Sequence, residues 1–263
     1  MTAVGALARA CHPLPSLAVT AFAVALGITA GAGARSALLG AAVLIGQLSI
    51  GWLNDLVDAD TDAEAGRTTK PLAAGEVDRT AVRTAVVASA VACVGLSLAL
   101  GVVPGLLHLI AVASAWSYDL ALKRTAASPV PFALSFGLLP AIAATTAGTT
   151  APWSLVVAAG LLGAAAHFAN TVPDAVADAV TGVRGLPQRI GPRASQVVAA
   201  AGVVVACAAV LVDSGRDLPL VGTALLAAAS AVAAWSPFAP VHLSFRLVLV
   251  SAALAVAGVV AAG

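Results

Sequence analysis

Charged residues are scarce in this sequence. Only 10% of its 263 residues are charged and 60% are apolar, with a mean hydropathy of +1.02, whereas soluble domains carry about a quarter charged residues. The net charge is +1 and no basic patch is present, so no nucleic-acid partner is expected. The three cysteines, Cys11, Cys93 and Cys207, stand alone in apolar runs without metal-ligand spacing, which indicates small buried hydrophobic residues. The composition predicts an integral membrane protein whose surroundings are a lipid bilayer.

Apolar segments separated by charges, glycine and proline predict an all-α, polytopic membrane protein with about nine transmembrane helices. Two charge-free stretches are divided at Val103-Pro104-Gly105 and at Gly148 to Pro152, because proline and glycine end helices. Eight or ten spans stay open. The predicted segments are 13–34, 36–54, 80–101, 103–122, 128–148, 152–173, 194–212, 218–236 and 242–262.

The charges sort to one side of the membrane. With the amino terminus inside, ten of the thirteen basic residues and ten of the twelve acids face inward. Lysine and arginine set topology, so we expect a cell-membrane protein with a cytoplasmic amino terminus. Acids contribute little to topology, so their clustering indicates a function on the cytoplasmic side. The inner loops 63–79 and 179–193 are the longest and most polar, and we expect them to form a cap over a pocket.

A polar motif occurs twice. A shift of 116 positions superposes residues 54–75 on residues 170–191 without a gap. This predicts a single domain over 1–263 with an internal repeat. The matched pairs are Asn54 and Asn170, Asp58 and Asp174, Asp62 and Asp178, Gly66 and Gly182, Pro71 and Pro187, and Gly75 and Gly191.

The acids of both copies have helical spacing. Asp55, Asp58 and Asp62 share one face if the second span continues through them, and Asp60 then points away. Acids at a helix carboxyl end interact unfavourably with the negative end of the helix dipole. A bound divalent cation would make this arrangement favourable. Mg²⁺ binds carboxylate oxygens and leaves room for phosphate oxygens, so two facing clusters would hold a diphosphate through bridging metals. The metal-ligand candidates are Asn54, Asp55, Asp58, Asp62, Asn170, Asp174 and Asp178.

Cations near these clusters are candidates for binding the diphosphate and stabilising the charge of the leaving group. Lys123 and Arg124 follow Tyr118 at the inner end of the fourth span, and Arg67 and Lys70 follow the first cluster. As single features, such cations also serve as topology anchors. We predict catalytic roles for Asp58, Asp174 and Lys123.

Four further side chains are candidates for lining a cavity, and each has a plain structural alternative. His167 could contact an acceptor or hold Asn170, or be a satisfied core histidine. Gln47 could line the pocket or pack between helices. Trp116 and Tyr118 could face a carbocation or be interfacial aromatic residues.

At these residues the sequence resembles the UbiA superfamily of intramembrane prenyltransferases. The first motif, Asn54-Asp55-x2-Asp58-x3-Asp62, is similar to the family's first aspartate-rich motif, and the stretch from Arg67 to Gly75 continues the likeness. Tyr118 to Arg124 resembles the central Tyr/Lys element. Asp174-x3-Asp178-x3-Gly182, followed by Leu186-Pro187, looks like the second aspartate-rich motif. Where many members have another acid before Asp174, this chain has Asn170 and Thr171.

The resemblance implies nine helices around a central cavity that opens laterally to lipid. It implies Mg²⁺-dependent ionisation of an isoprenyl diphosphate, whose isoprenyl group passes to an acceptor that the sequence does not identify. Roles follow by position. The implied metal ligands are Asn54, Asp55, Asp58, Asp62, Asp174 and Asp178, and the implied diphosphate ligands are Arg67, Lys123 and Arg124.

Two other functions stay open. An intramembrane terpene cyclase would use the same ionisation, with the substrate's own double bonds trapping the cation. A transporter built from repeats would use the acids as ion sites, although such sites lie near the membrane midplane and these acids cluster at one face.

Overall fold

The computed structural model describes residues 3–67, 69–171, 182–214 and 218–262. Over these ranges the chain is helical and has no strand. Short 3-10 helices occupy Leu122–Arg124 and Ser236–Phe238. The α-helices are α1 (Ala3–Ala10), α2 (Pro13–Thr29), α3 (Arg35–Glu64), α4 (Arg79–Ala99), α5 (Val102–Leu120), α6 (Pro129–Thr146), α7 (Trp153–Thr171), α8 (Leu186–Ile190), α9 (Pro192–Ser214), α10 (Leu220–Trp235) and α11 (Val241–Ala262).

Within the described ranges, each of the nine predicted apolar segments overlaps one long helix. In the described ranges six helical segments are long and apolar enough to cross a membrane, namely α3, α4, α6, α7, α9 and Leu220–Phe238. The all-α class is therefore confirmed. Nine membrane crossings, the central cavity and the cytoplasmic cap stay predictions.

Helix α3 differs most from its predicted segment, which ended at residue 54. It continues to Glu64, so the first acidic cluster lies within a helix of 30 residues. It ends where Gly66 adopts a left-handed φ of 67°, a conformation that glycine accepts without a steric penalty.

The break between α4 and α5 lies earlier than predicted. The sequence placed it at Val103-Pro104-Gly105, but Gly101, with a φ of 112°, separates the two helices. Pro104 lies in the first turn of α5, where the missing N–H would have no helical partner in any case.

The chain forms two compact units. The first unit comprises Met1–Ala121 with Ile142–Gly148, and the second comprises Leu122–Ala141 with Thr149–Gly263.

In the first unit α3 packs against α2, α4 and α5. Gly51 of α3 lies directly against the backbone of Cys11, and a Cβ at this position would stand 2.3 Å from the Cys11 carbonyl oxygen. The indole Nε1 of Trp52 donates to the Leu7 carbonyl at 2.9 Å. These contacts hold α1 and the residue that follows it against the second half of α3.

In the second unit α7 packs against α9 and α11, around a core of small residues and valine. Ser154 of α7 donates to the Asp213 carboxylate at 2.6 Å. At the other end of α7, His167 Nε2 lies 3.0 Å from Ser128 Oγ, which also accepts from the Leu186 N–H at 3.0 Å. Ser128 therefore joins the starts of α6 and α8 to α7.

Candidate functional site

The acidic face of α3 carries the first cluster, all of it in the first unit. Asp55 is 1% exposed and Asp62 is 3% exposed, while Asn54 and Asp58 are half-buried. The predicted common face is thus confirmed: the helix continues and turns these carboxylates inward. A buried carboxylate is costly unless it is paired, so its partners define the site.

Lys70 is the partner of Asp55. Its Nζ lies 3.5 Å from Asp55 Oδ1 and donates to Asn54 Oδ1 at 3.3 Å. The same ammonium donates to His12 Nε2 at 3.1 Å. Burial, and then the charge of Lys70, lower the pKa of His12, which favours the neutral ring that can accept this hydrogen bond.

Arg67 is the partner of Asp62, with Nη1 3.3 Å from Asp62 Oδ1. Both cations predicted to bind diphosphate in this part of the chain therefore lie beside the acids. Each acid retains a buried oxygen, Oδ2 of Asp55 and Oδ2 of Asp62, that has no hydrogen-bond partner.

Two residues of this site were missed by sequence reasoning. Asp119 of α5 is buried and accepts from Asn54 Nδ2 at 2.8 Å, while the same amide donates to Asp58 Oδ2 at 3.2 Å. His12 contacts Lys70 from the segment before α2. An acid at the carboxyl end of α5 opposes the helix dipole, a signal that could have indicated Asp119, whereas nothing in the sequence singles out His12.

Asp60 points away from this face, as predicted. It is exposed and forms an ion pair with Arg79. It also lines an open cavity of about 430 Å³ together with Leu72 and Val77. That cavity does not include Asp55, Asp58 or Asp62, so it is separate from the acidic face.

The cavity candidates of the first unit lie at different depths along the helices. Trp116 donates from Nε1 to Ser49 Oγ at 3.3 Å, which ties α5 to α3 two turns before the acids. Gln47 and Tyr118 are half-buried. Their roles in lining a cavity stay predictions.

In the second unit Lys123 is buried and Arg124 is exposed, both in the 3-10 helix after α5. His167 is 2% exposed, bonds to Ser128 and stacks on Phe132 with a centroid distance of 4.6 Å. These contacts account for its buried ring. Asn170 is exposed, and Asp174 and Asp178 lie outside the described residues.

Mg²⁺ requires oxygen ligands, which the acidic face supplies. Within the described ranges no three Asp, Glu, His or Cys side chains are grouped to hold a metal ion on their own. Mg²⁺ usually binds through one or two carboxylates, with substrate phosphates and water completing its shell. The two buried oxygens of Asp55 and Asp62 that lack hydrogen bonds fit this mode.

Comparisons with known proteins identify the family and the fold of the chain. Residues 2–244 match the model of the UbiA prenyltransferase family, and no curated protein matches. Three solved structures share the fold, with TM-scores of 0.75 to 0.77. A UbiA homologue from Aeropyrum pernix K1 is 22% identical, with 91% of this chain and 96% of that chain covered. A UbiA homologue from Archaeoglobus fulgidus bound to GPP and Mg²⁺ is 17% identical, with 96% and 97% covered. A digeranylgeranylglyceryl phosphate synthase is 12% identical, with 100% and 99% covered. The family match spans most of the sequence, and the chain belongs to the UbiA prenyltransferase family.

Proposed function

We propose that this protein transfers an isoprenyl group from an isoprenyl diphosphate to an acceptor within the membrane, with Mg²⁺ as its cofactor. The observation that carries the proposal is the acidic face of α3. Two buried carboxylates there, Asp55 and Asp62, each pair with one cation and each keep one oxygen without a hydrogen bond.

The family relationship supports this assignment. The structurally similar homologue from Archaeoglobus fulgidus is described with DMAPP and Mg²⁺ and with GPP and Mg²⁺. These ligands combine a diphosphate with a divalent cation. A site with neighbouring acidic and basic side chains would bind both, the acids holding the metal and the basic residues the diphosphate. We therefore propose an isoprenyl diphosphate as the substrate.

Bound Mg²⁺ would neutralise charge on the diphosphate oxygens. The chain's own groups would do the rest: Asp55, Asp58 and Asp62 supply oxygen ligands, with Asn54 beside them. Arg67 and Lys70 donate hydrogen bonds to non-bridging oxygens and stabilise the pyrophosphate as the allylic C–O bond breaks. The bonding electrons leave with pyrophosphate, and the acceptor then forms a bond to the allylic carbon and loses a proton.

The second motif is proposed to complete the site. In this proposal Asp174 and Asp178 hold metal with Asn170, and Lys123 and Arg124 bind the diphosphate. The chain is then one domain with an internal repeat, 54–75 and 170–191, whose motifs face the cytoplasmic side. Apolar helix surfaces would exclude water from the allylic cation.

Release of pyrophosphate tests the proposal. Purified protein in lipid nanodiscs is mixed with Mg²⁺ and a panel of isoprenyl diphosphates, and pyrophosphate is measured. Asp58→Asn and Asp174→Asn should abolish release, whereas Asp60→Asn, at the exposed Arg79 ion pair, should retain it. Unchanged release in both site variants would overturn the assignment.

Two further measurements separate the alternative functions. Products are analysed by mass spectrometry without added acceptor, where a cyclised hydrocarbon would indicate a terpene cyclase instead of a transferase. Counterflow uptake into liposomes without chemical conversion of the substrate would indicate a transporter.

A further inference from the structure

We infer that His12 is a positioning residue, which holds the Lys70 ammonium beside Asn54 and Asp55 by accepting a hydrogen bond at Nε2. Its importance for binding diphosphate rests on the proposed function. Its effect on Lys70 itself does not.

The local geometry gives the ammonium three acceptors. His12 Nε2 is the nearest, at 3.1 Å, followed by Asn54 Oδ1 at 3.3 Å and Asp55 Oδ1 at 3.5 Å. A lysine ammonium has three donors on a flexible stem, so contacts with three different residues restrict its position. An imidazole nitrogen that accepts this hydrogen bond carries no charge, so it holds the ammonium without cancelling the positive charge, which a second carboxylate would do.

The backbone of His12 is left-handed at the turn between α1 and α2. Among the described non-glycine residues, His12 alone has a positive φ, 54° with ψ 65°. The left-handed conformation is disfavoured for a residue other than glycine, and it persists where the surroundings fix it. The ring does not cap α2, which begins at the next residue. The conformation belongs to the turn between the helices, where the His12 N–H donates to the Arg9 carbonyl at 3.2 Å and the His12 carbonyl accepts from the Ser16 N–H at 3.2 Å. The ring takes no part in these main-chain hydrogen bonds and contacts Lys70.

The second unit contains the same connection in a simpler form. The shift of 116 positions pairs His12 with Ser128 and Lys70 with Leu186. Pro13 and Pro129, one position later in each copy, are the first residues of α2 and α6. Ser128 Oγ accepts from the main-chain N–H of Leu186 at 3.0 Å.

A short serine is thus sufficient where the partner is a main-chain group. In the first unit the partner is a side-chain ammonium, and the longer histidine reaches it. The connection between these two positions occurs in both units, but only in the first does it control a charged group of the acidic site.

The first experiment measures Lys70 directly. The chain has two lysines, Lys70 and Lys123, so the extent of amine labelling at each can be compared in one digest by mass spectrometry. Full-length protein in nanodiscs is labelled with acetic anhydride. His12→Gln keeps an acceptor of similar reach. His12→Asn keeps a residue that tolerates the left-handed backbone but is too short.

If His12 holds Lys70, His12→Asn should raise the labelling ratio of Lys70 to Lys123 about tenfold or more, the size expected for losing a hydrogen bond to a charged group. His12→Gln should stay near the wild-type ratio. The control, Ser128→Ala, should lower the melting temperature without changing the ratio. A role limited to the backbone predicts the opposite order, with His12→Asn closer to wild type, and that result would overturn the inference.

The second experiment uses pyrophosphate release from geranyl diphosphate. His12→Asn should raise KM for geranyl diphosphate on the order of tenfold, and His12→Gln should largely restore it. Equal KM values in the two variants would overturn the role in binding. If wild type releases no pyrophosphate with any isoprenyl diphosphate, the proposed function fails, and the labelling ratio still decides whether His12 positions Lys70.

Discussion

The side-chain amide of Asn54 donates a hydrogen bond to the buried carboxylate of Asp119, with 2.8 Å between Nδ2 and Oδ1. This contact joins α3 to α5 and sets the orientation of the amide. With Nδ2 facing Asp119 and Asp58, the oxygen Oδ1 faces the Lys70 ammonium. Asp119 therefore controls which group Asn54 presents to the cationic side of the site.

Replacement of Asp119 by asparagine tests this relationship. The new side chain has the same size but lacks the charge that fixes the Asn54 amide. We expect the rate of pyrophosphate release to fall about tenfold or more, since hydrogen bonds to charged groups contribute more than neutral ones. The matched control, Asp60→Asn, should change the rate by less than about twofold, because exposed ion pairs contribute little. Equal rates in the two variants would contradict a role for Asp119.

The acidic face of α3 could be predicted from sequence because it is local. Asp55, Asp58 and Asp62 have helical spacing, so a continuous helix was enough to place them on one face. The common face depended on the second span continuing through these acids, whereas composition alone ended the predicted span at residue 54; the helix in fact continues to Glu64.

The partners of these acids could not be predicted, because they are distant in sequence. His12 precedes Lys70 by 58 positions and Asp119 follows Asn54 by 65. Their proximity depends on how α2 and α5 pack against α3, and small residues such as Gly51 permit that packing without specifying it. The contact of His167 with Ser128 likewise links positions 39 apart.

The pair of Asp55 and Lys70 should behave as a coupled unit. Asp55→Asn or Lys70→Gln alone leaves a partly buried charge without its main partner, and each should lower the free energy of unfolding by about 1–3 kcal/mol. The double variant removes both charges, so its loss should be smaller than the sum of the two single losses. Thermal unfolding in detergent gives the comparison. Strict additivity would mean that the ion pair does not contribute to stability.

Two glycine-to-alanine substitutions should have opposite effects on stability. Gly51→Ala would place a Cβ 2.3 Å from the Cys11 carbonyl oxygen, and overpacking of this kind typically costs about 1–3 kcal/mol. Gly95→Ala, in α4, meets nothing within 4 Å, and alanine is favoured over glycine in a helix by about 1 kcal/mol. We expect the melting temperature to fall in the first variant and to rise in the second. A rise in both would show that α3 does not need this close approach.

Ligand binding should appear as stabilisation that depends on Arg67. A ligand that binds only the folded state raises the melting temperature as its concentration exceeds Kd. Inorganic pyrophosphate with Mg²⁺ should therefore stabilise the wild type, and a chelator should remove the effect.

Arg67→Gln deletes the cation beside Asp62 and should require about tenfold more pyrophosphate for the same shift in melting temperature, as expected for a lost charge-assisted hydrogen bond. Arg193→Gln, at an exposed arginine in the first turn of α9, is the matched control and should respond like wild type. If both arginine variants respond equally, Arg67 does not bind the diphosphate.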